Sequence, residues 1–404
     1  MMFSLAERFN ILDQSLLQTQ ALWRIDPFQL SFHSSLPWQE IAPDLCQFLA
    51  QLTDDDIIEF KQNTASLLPE LSIFIPQLST LWQACELENL RESPLHGVEA
   101  LSVGIPGRKW QQICAMGSAA LKENKGTKWL EWCSGKGFLG QVLAQQSHLP
   151  VTSFEWQQGL CDSGQVLANQ RKLKMTFVQG DALSASSTSV FNQQQHAVAL
   201  HACGDLHAHL IEHVCQQHLP ALTLSPCCYH LIEGDHYQAL STHGQQSKLQ
   251  LSKNELRIPL QETVTGGQRV KQHRELEMTY RLALDSLLRE KMGHCEYTPL
   301  PSIKKSELGL GFEHFCHWSQ QQKALIFPMN DLTSWEAKGR QRFMQMERIS
   351  LIQQVFRRPL EMWLVCDKAL RLQQQGYSVS VSTFCTREIT PRNILIQAVL
   401  PTQS

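Results

Sequence analysis

Three acidic residues each end a short apolar run, and a polar turn follows each run. Glu131 precedes a glycine-rich turn that contains Gly135 and Gly137, while Glu155 and Asp181 end the next two runs. Because the carboxyl ends of parallel strands meet at one edge of a sheet, we expect these carboxylates to surround one ligand. Glu155 can accept hydrogen bonds from both hydroxyls of a ribose, Asp181 can meet an adenine amino group, and Glu131 can hold a cationic amine or order the loop.

The glycine-rich turn lies in residues 128–140, K-W-L-E-W-C-S-G-K-G-F-L-G, and is followed by a helix-like segment. Glycines let backbone N–H groups approach a ligand, and the helix N-terminus adds further donors. A nicotinamide cofactor would share the ribose contact, but its pyrophosphate suits a carboxylate poorly. S-adenosylmethionine has a ribose, an adenine, a sulfonium and an ammonium group but no phosphate, so we predict it as the ligand. The turn supplies the remaining candidate cofactor-binding residues, Cys133, Gly135, Lys136 and Gly137, and His201 is a further candidate.

A second group of reactive side chains follows the fourth and fifth apolar runs. It comprises His201, Cys203 and Asp205 in H-A-C-G-D, and Cys227, Cys228, Tyr229 and His230 in S-P-C-C-Y-H. Methyl transfer to oxygen needs a positioned acceptor and a base. We predict Asp205 or His201 as the base, with Tyr229 or His230 positioning the acceptor.

The same cysteines leave a cytosine-C5 chemistry open. In that reaction one thiolate attacks C6 of the base and a second thiol helps to release it. Cys203 and either Cys227 or Cys228 occupy suitable places, and His201 and His230 are candidates for lowering a thiol pKa. Neither turn has the spacing of a zinc motif, so we expect the cysteines to pack and shape a pocket without a metal.

The pattern of short β-like runs alternating with helical segments predicts an α/β sheet. The predicted parallel strands cover residues 129–132, 151–154, 175–178, 197–200 and 221–224. Two further strands, 377–384 and 394–400, are joined by a short turn and can pair only as an antiparallel hairpin. A parallel sheet that ends in such a hairpin is typical of the Rossmann-like class I methyltransferases.

Helical segments flank the predicted sheet. Prolines at 43, 69, 76 and 94 divide the N-terminal region into short helices, and helices are predicted at 276–290 and 359–375, the latter ended by Gly376. We therefore predict four segments: a helical N-terminal region (1–104), the first part of a methyltransferase domain (105–235), a mainly helical insertion (236–356), and a final helix with a β-hairpin (357–404).

Four motifs together resemble a specific class I methyltransferase family: E-W-C-S-G-K-G-F-L-G, A-L-H-A-C-G-D-L, S-P-C-C-Y-H-L and T-P-R-N. The family includes the methyltransferase-like domain of the glutathione S-transferase C-terminal-domain-containing protein. It is also similar to the eukaryotic tRNA ribose methyltransferase that modifies the acceptor stem. The resemblance covers about residues 105–235 and 355–400, and it implies S-adenosylmethionine as donor and RNA as acceptor. Cys133 replaces the first glycine of the usual turn, and the zinc-finger modules of the tRNA enzyme have no counterpart.

Composition limits the possible partners and locations. The formal net charge is −3, so only a local basic cluster can bind RNA. The best candidates are Lys304, Lys305, Lys338, Arg340, Arg342, Arg348, Arg357 and Arg358. Thirteen scattered cysteines without a C-x-x-C pair, and no signal-peptide or membrane-spanning stretch, predict a cytoplasmic protein.

The sequence thus predicts an S-adenosylmethionine-dependent methyltransferase that acts on RNA, with oxygen favoured over cytosine C5 as the acceptor. A protein or small-molecule methyltransferase and a non-catalytic binding module remain alternatives. The oligomeric state is not predicted.

Overall fold

A seven-stranded mixed sheet forms the centre of the fold in the computed structural model, which describes residues 3–91, 93–261 and 267–401. Its order is β3-β2-β1-β4-β5-β7-β6, with β1 to β5 mutually parallel and β7 antiparallel to both neighbours. The strands are Lys128–Trp132 (β1), Val151–Glu155 (β2), Met175–Gln179 (β3), Gln195–Cys203 (β4), Ala221–Cys227 (β5), Ser378–Thr383 (β6) and Ile394–Val399 (β7). The predicted Rossmann-like class I methyltransferase sheet is confirmed.

Helices precede, connect and follow the strands. The α-helices are Leu5–Gln18 (α1), Gln20–Trp23 (α2), Pro27–Leu30 (α3), Pro43–Gln51 (α4), Asp54–Gln62 (α5), Thr64–Phe74 (α6), Gln77–Gln83 (α7), Gly107–Lys122 (α8), Phe138–Ser147 (α9), Gln158–Gln170 (α10), Asp205–Gln217 (α11), Thr242–Gln246 (α12), Gln268–Met292 (α13), Lys305–Leu308 (α14), Phe312–Lys323 (α15) and Leu332–Gln374 (α16). Short 3₁₀ segments cover Glu99–Ser102, Ala185–Val190 and Glu255–Leu260. The predicted N-terminal helices are therefore present, although Pro69 lies inside α6 and does not separate two helices.

Aromatic packing ties the carboxyl edge of the sheet together. Trp132, the last residue of β1, stacks on Phe154 of β2 with ring centroids 4.9 Å apart. Its indole N–H donates to the Leu206 carbonyl at the start of α11, at 3.0 Å. Both rings are buried, so the ends of β1 and β2 and the start of α11 are held at fixed separations.

The helix predicted at 359–375 is the second half of a much longer helix, α16, which contains Pro359 in its interior. Proline in a helix removes one hydrogen bond and costs about 3 kcal/mol. Every residue from 349 to 370 is buried, and each fully buried large apolar side chain contributes about 1.5–3 kcal/mol. Burial on both sides of Pro359 therefore outweighs its local cost. Gly376, with φ +86°, follows the helix end as predicted.

The chain forms two compact units. One unit contains Met1–Leu17, Thr80–Thr265 and Arg357–Ser404 and holds the whole sheet, and the other contains Gln18–Ser79 and Gly266–Phe356. The four-segment division of the sequence stays a prediction. None of the helices in the described part of the chain has both the length and the apolarity needed to cross a membrane.

Candidate active site

The turn between β1 and α9 contains three residues in the left-handed backbone region. Cys133, Gly135 and Gly137 have φ values of 54°, 58° and 70°. A Cβ atom on Gly137 would lie 2.5 Å from the Phe177 ring, whereas a Cβ atom on Gly135 would meet no atom within 4 Å. Gly137 is therefore required by packing, and Gly135 leaves open space beside the turn.

Glu131 stabilises this turn through hydrogen bonds. Its side chain is only 4% exposed, and it accepts hydrogen bonds from the Ser153 hydroxyl, at 2.8 Å, and from the backbone of Leu139 and Gly140. A Cβ atom on Gly140 would lie 2.5 Å from this carboxylate. Burial raises the pKa of Glu131 to about 7, although the three hydrogen bonds oppose the shift. Of the two predicted roles, these contacts favour ordering of the loop.

Glu155 joins the end of β2 to the glycine turn. One carboxylate oxygen accepts the Gly135 N–H at 2.8 Å, and the other accepts the Gln157 N–H at 3.1 Å. Asp181 follows β3, is half-buried and accepts the Leu183 N–H at 2.9 Å. The structure therefore places Glu155 at the turn, with Asp181 just beyond the neighbouring strand.

Sequence reasoning missed three residues at this edge. The Ser134 hydroxyl oxygen is buried within the glycine turn and has no hydrogen-bond partner among the described residues. Trp156 and Leu183 are 62% and 49% exposed, although they directly follow β2 and the Asp181-Ala182 turn. The sequence signal that could have identified Trp156 and Leu183 is a large apolar side chain close to an acidic residue that can bind a ligand. These three residues can supply a hydroxyl group and two apolar surfaces to a ligand.

Cys133 and Lys136 differ in accessibility within the same turn. Cys133 is half-buried, and burial raises the pKa of its thiol to about 12. A thiol with so high a pKa is protonated and unreactive at neutral pH. Lys136 is exposed on the outer side of the turn. Both predicted residues belong to the turn, and neither makes a hydrogen bond to the three acidic side chains.

β4 is longer than predicted and includes the H-A-C segment, which we expected to be a turn. His201 therefore lies in the strand, but its side chain falls outside the described part of the structure. Asp205 begins α11 and is half-buried. One of its carboxylate oxygens accepts the Glu233 N–H at 2.7 Å, and the other makes no hydrogen bond to a described residue. Asp205 therefore retains one oxygen that can accept a proton.

The S-P-C-C-Y-H segment places its thiols and its tyrosine in different environments. The Sγ atoms of Cys203, Cys227 and Cys228 all lie within 4.8 Å of one another. The Tyr229 side chain is 1% exposed, and its hydroxyl donates to the Pro226 carbonyl at 3.3 Å. The buried Tyr229 ring anchors the segment, and its role in positioning the acceptor stays a prediction. His230 is half-buried, and burial lowers its pKa.

Buried charged residues of α16 lie beneath this segment, and sequence reasoning missed them. Lys368 is fully buried, and its ammonium group donates to the Tyr237 hydroxyl at 2.9 Å and lies 5.4 Å from the centre of the Tyr229 ring. Burial lowers the pKa of Lys368 to about 8. Asp367 is also buried, and it accepts the Tyr237 hydroxyl and the Ser241 hydroxyl at 2.7 and 2.6 Å. Adjacent charges between the apolar residues 362–366 and 369–370 were the available indication.

Three of the eight residues predicted to form a basic face are buried: Arg342, Arg357 and Arg358. The guanidinium group of Arg342 pairs with Asp285 at 2.8 Å, and that of Arg358 pairs with Glu361 at 2.8 Å. A buried and paired guanidinium is poorly placed to bind a phosphate, so these contacts do not support Arg342 and Arg358 as part of the predicted face. The sequence pattern did not indicate that acidic residues of the folded protein would pair with these arginines.

The other five basic residues lie in the second compact unit. Lys304 and Lys305 are exposed, and Arg340 is exposed although it pairs with Glu336 at 2.6 Å. The remaining two, Lys338 and Arg348, bond to Glu290 and to the Leu52 carbonyl, respectively. Their role in RNA binding stays a prediction.

A cavity of about 360 Å³ lies beside the turn between β6 and β7. Its lining includes Trp82, Arg358, Arg387 and Asn393. Because β7 is antiparallel to β5, this turn lies at the carboxyl edge of β5. Asn393 is buried, and its side-chain oxygen has no hydrogen-bond partner among the described residues. Arg358 is already paired, so the cavity offers the positive charge of Arg387, an aromatic surface and one unpaired acceptor.

Comparison with known proteins agrees with the fold. A sequence model of the family described as methyltransferase domain matches residues 108–235, which is less than half of the chain. This part of the chain is therefore similar to a methyltransferase domain, and it contains β1 to β5 of the Rossmann-like sheet. No curated protein matches the chain. Among solved structures, one titled "Medium resolution structure of the bifunctional kinase-methyltransferase WbdD" is similar, with 16% identity and a TM-score of 0.24, over 36% of this chain and 34% of that chain.

Proposed function

We propose that this protein is an S-adenosylmethionine-dependent methyltransferase that modifies a hydroxyl oxygen of a structured RNA. The observation that carries the donor assignment is the contact between Glu155 and the Gly135 N–H, at 2.8 Å. This contact brings a carboxylate that can bind ribose hydroxyls to the side of the glycine turn where Gly135 leaves open space. Asp181 adds a second carboxylate nearby in the sheet, and a pyrophosphate cofactor would be repelled by this pair.

The residues of the turn fit the proposed donor. The space around Gly135 accepts a ligand without a clash, and the unpartnered Ser134 hydroxyl can bond to it. Glu155 would bind the ribose hydroxyls, Asp181 the adenine amino group, and Trp156 and Leu183 the faces of the base. When bound, S-adenosylmethionine supplies a methyl group that is already activated by the sulfonium.

Asp205 is the proposed base. Its hydrogen bond to the Glu233 N–H fixes the carboxylate, and its second oxygen is available to take the proton of the acceptor hydroxyl. General-base catalysis of this kind contributes typically 10²–10⁴-fold.

The cavity beside the β6–β7 turn supports a nucleic-acid acceptor. Guanidinium groups bind phosphate in a bidentate manner, and an aromatic ring such as Trp82 can stack on a base. Lys304, Lys305 and Arg340 are exposed and can add phosphate contacts. A cytoplasmic location is part of the proposal.

Titration calorimetry with S-adenosylmethionine and with NADH tests the donor assignment. We expect micromolar binding of S-adenosylmethionine, weakened by Glu155→Gln by about 1–3 kcal/mol through lost ribose hydrogen bonds. Glu99→Gln, which changes an exposed carboxylate elsewhere in the chain, is the control and should bind normally. Binding of NADH alone would contradict the proposal.

Asp205→Asn tests the base, because an amide oxygen can still accept the Glu233 N–H but cannot take a proton. We expect turnover to fall about 10²-fold or more, with unchanged donor affinity. Wild-type turnover in this variant would exclude Asp205 as the base.

Mass spectrometry of nucleosides from tRNA and rRNA, with and without the gene, tests the acceptor. A missing ribose-methylated nucleoside is expected, whereas loss of 5-methylcytidine would transfer the assignment to cytosine C5.

Charge reversal at Arg387, or at Lys304, Lys305 and Arg340, should weaken RNA binding and flatten its salt dependence. Wild-type RNA binding in both variants, with no change in any nucleoside, would favour a protein or small-molecule acceptor. Donor binding without any methylated product would indicate a binding module.

A further inference from the structure

Three cysteine thiols form a compact cluster at the carboxyl ends of β4 and β5. The Sγ atoms of Cys203 and Cys227 are 3.5 Å apart, and both lie within 4.8 Å of the Cys228 Sγ atom. Cys227 is buried and the other two are partly exposed. None of the thirteen cysteines, all of which lie in the described ranges, forms a disulfide.

An irregularity in β4 creates the contact between the first two thiols. Leu200 pairs with Ser225, so a regular ladder would pair Ala202 with Cys227. The register shifts between Leu200 and Cys203, and Cys203 pairs with Cys227 instead. Because side chains alternate between the faces of a strand, one extra residue moves the Cys203 thiol to the face of Cys227.

Unusual backbone conformations hold the third thiol in the cluster. Cys228 has φ +47°, a left-handed conformation that is unfavourable for a residue with a side chain. Gly204, with φ +56°, follows Cys203, and a Cβ atom there would lie 1.8 Å from the Leu231 carbonyl oxygen. The Leu231 N–H in turn donates to the Cys228 carbonyl at 3.0 Å. Strain of this kind is typical of ligand sites.

We propose that Cys203, Cys227 and Cys228 bind a thiophilic divalent metal ion, zinc in the first place, as three thiolate ligands. Zinc binds cysteine sulfur at about 2.3 Å in a tetrahedron, which places the sulfurs about 3.8 Å apart. The observed spacing, from 3.5 Å to at most 4.8 Å, meets this requirement after small side-chain movements. Sulfur ligands exclude magnesium and calcium, which prefer oxygen.

The described side chains supply three ligands and leave the fourth coordination position unassigned, since the His201 side chain lies outside the described residues. No other His, Cys, Asp or Glu of the described chain belongs to the cluster. Three protein ligands and an open position form the ligand set of catalytic zinc sites, whereas structural sites have four. Asp205, the proposed base, follows Cys203 by two residues at the start of α11. The inference does not depend on the identity of the methyl acceptor, and it replaces the sequence expectation of metal-free cysteines.

The test uses the full-length protein, purified under reducing and oxygen-free conditions and titrated with Zn²⁺ and with Co²⁺. We expect one tightly bound zinc ion per chain by elemental mass spectrometry, and a thiolate-to-cobalt absorption band in the near ultraviolet. Cys203→Ser, Cys227→Ser and Cys228→Ser should each lower metal affinity at least tenfold. Cys295→Ser, which removes an exposed thiol outside the cluster, should not change it.

Alkylation of the wild-type protein provides a test that does not require a folded variant. Zinc should protect these three thiols from iodoacetamide in peptide mass spectra, while Cys295 is alkylated with and without zinc. The absence of bound zinc and of the cobalt band would overturn the proposal. A Cys203–Cys227 disulfide in the oxygen-free protein would also overturn it, as would undiminished metal binding in a variant that lacks all three thiols.

Discussion

Glu131 allows a direct measurement of which physical effect dominates under the glycine turn. Its carboxylate is 4% exposed, and burial disfavours its charged form. Hydrogen bonds from Ser153, Gly140 and Leu139 favour the charged form. Burial is the larger effect and raises the pKa of Glu131 from 4.5 to about 7. The substitution Glu131→Gln removes the titration while keeping an oxygen that can accept the same hydrogen bonds.

The expected magnitude follows from the two pKa values. Each unit of pKa difference between the folded and unfolded states corresponds to about 1.4 kcal/mol, so the full effect is about 3 kcal/mol. Because the folded protein binds this proton more tightly, the stabilisation is complete below about pH 4.5 and disappears as the pH rises through 7. Between pH 5 and pH 8 the wild type should lose about 2–3 kcal/mol relative to the variant.

Urea unfolding of both proteins at several pH values between 5 and 8 measures this difference. Other titrating groups contribute equally to both proteins and cancel in the comparison. The exposed Glu99→Gln variant is the matched control, and its curve should parallel that of the wild type.

The reasoning fails if the two unfolding free energies change in parallel from pH 5 to pH 8. It also fails if the wild type gains stability relative to Glu131→Gln between pH 3 and pH 5. That result would show that the three hydrogen bonds outweigh burial and lower the pKa.

Two further pairs of measurements follow from the same region. Gly135→Ala should weaken S-adenosylmethionine binding about tenfold or more in calorimetry, whereas Gly137→Ala should lower the urea midpoint more strongly. Both positions have left-handed φ values, so the difference reports the contact of the new Cβ atom with Phe177, and equal stability losses would contradict it. The wild type should gain up to about 3 kcal/mol over Lys368→Met as the pH rises from 8 to 10.5, since burial lowers the folded pKa of this lysine to about 8. A relative loss of stability over that range would show that Lys368 is better stabilised as a cation than its burial implies.

The sequence determined the features that depend on local periodicity and turn chemistry. The five parallel strands, the final hairpin, and the glycine turn with its adjoining acids all follow from patterns of a few residues. Gly137 illustrates why: a turn between a strand and a helix uses left-handed backbone, which favours glycine on local grounds, and here φ is 70°. The class of fold was therefore predictable, and so were the places of Glu131 and Glu155.

Only the tertiary structure decided which side chains are accessible. Arg342 belongs to a basic stretch, but it is buried against Asp285, which lies 57 residues earlier in the chain. Tyr229 follows Cys227 and Cys228 in a polar motif, but its ring is buried and contacts the ammonium group of Lys368. Burial depends on contacts distant in sequence, and periodicity within one segment does not report them.

The thiol cluster also required the tertiary structure. Cys203 meets Cys227 because one extra residue in β4 shifts the register by one position. The spacing of the cysteines is the same with or without that bulge, and only the pairing with β5 determines which face Cys203 occupies. The sequence thus contained all three thiols. The register between β4 and β5 brought them to one site, although the paired cysteines, Cys203 and Cys227, are 24 residues apart in the chain.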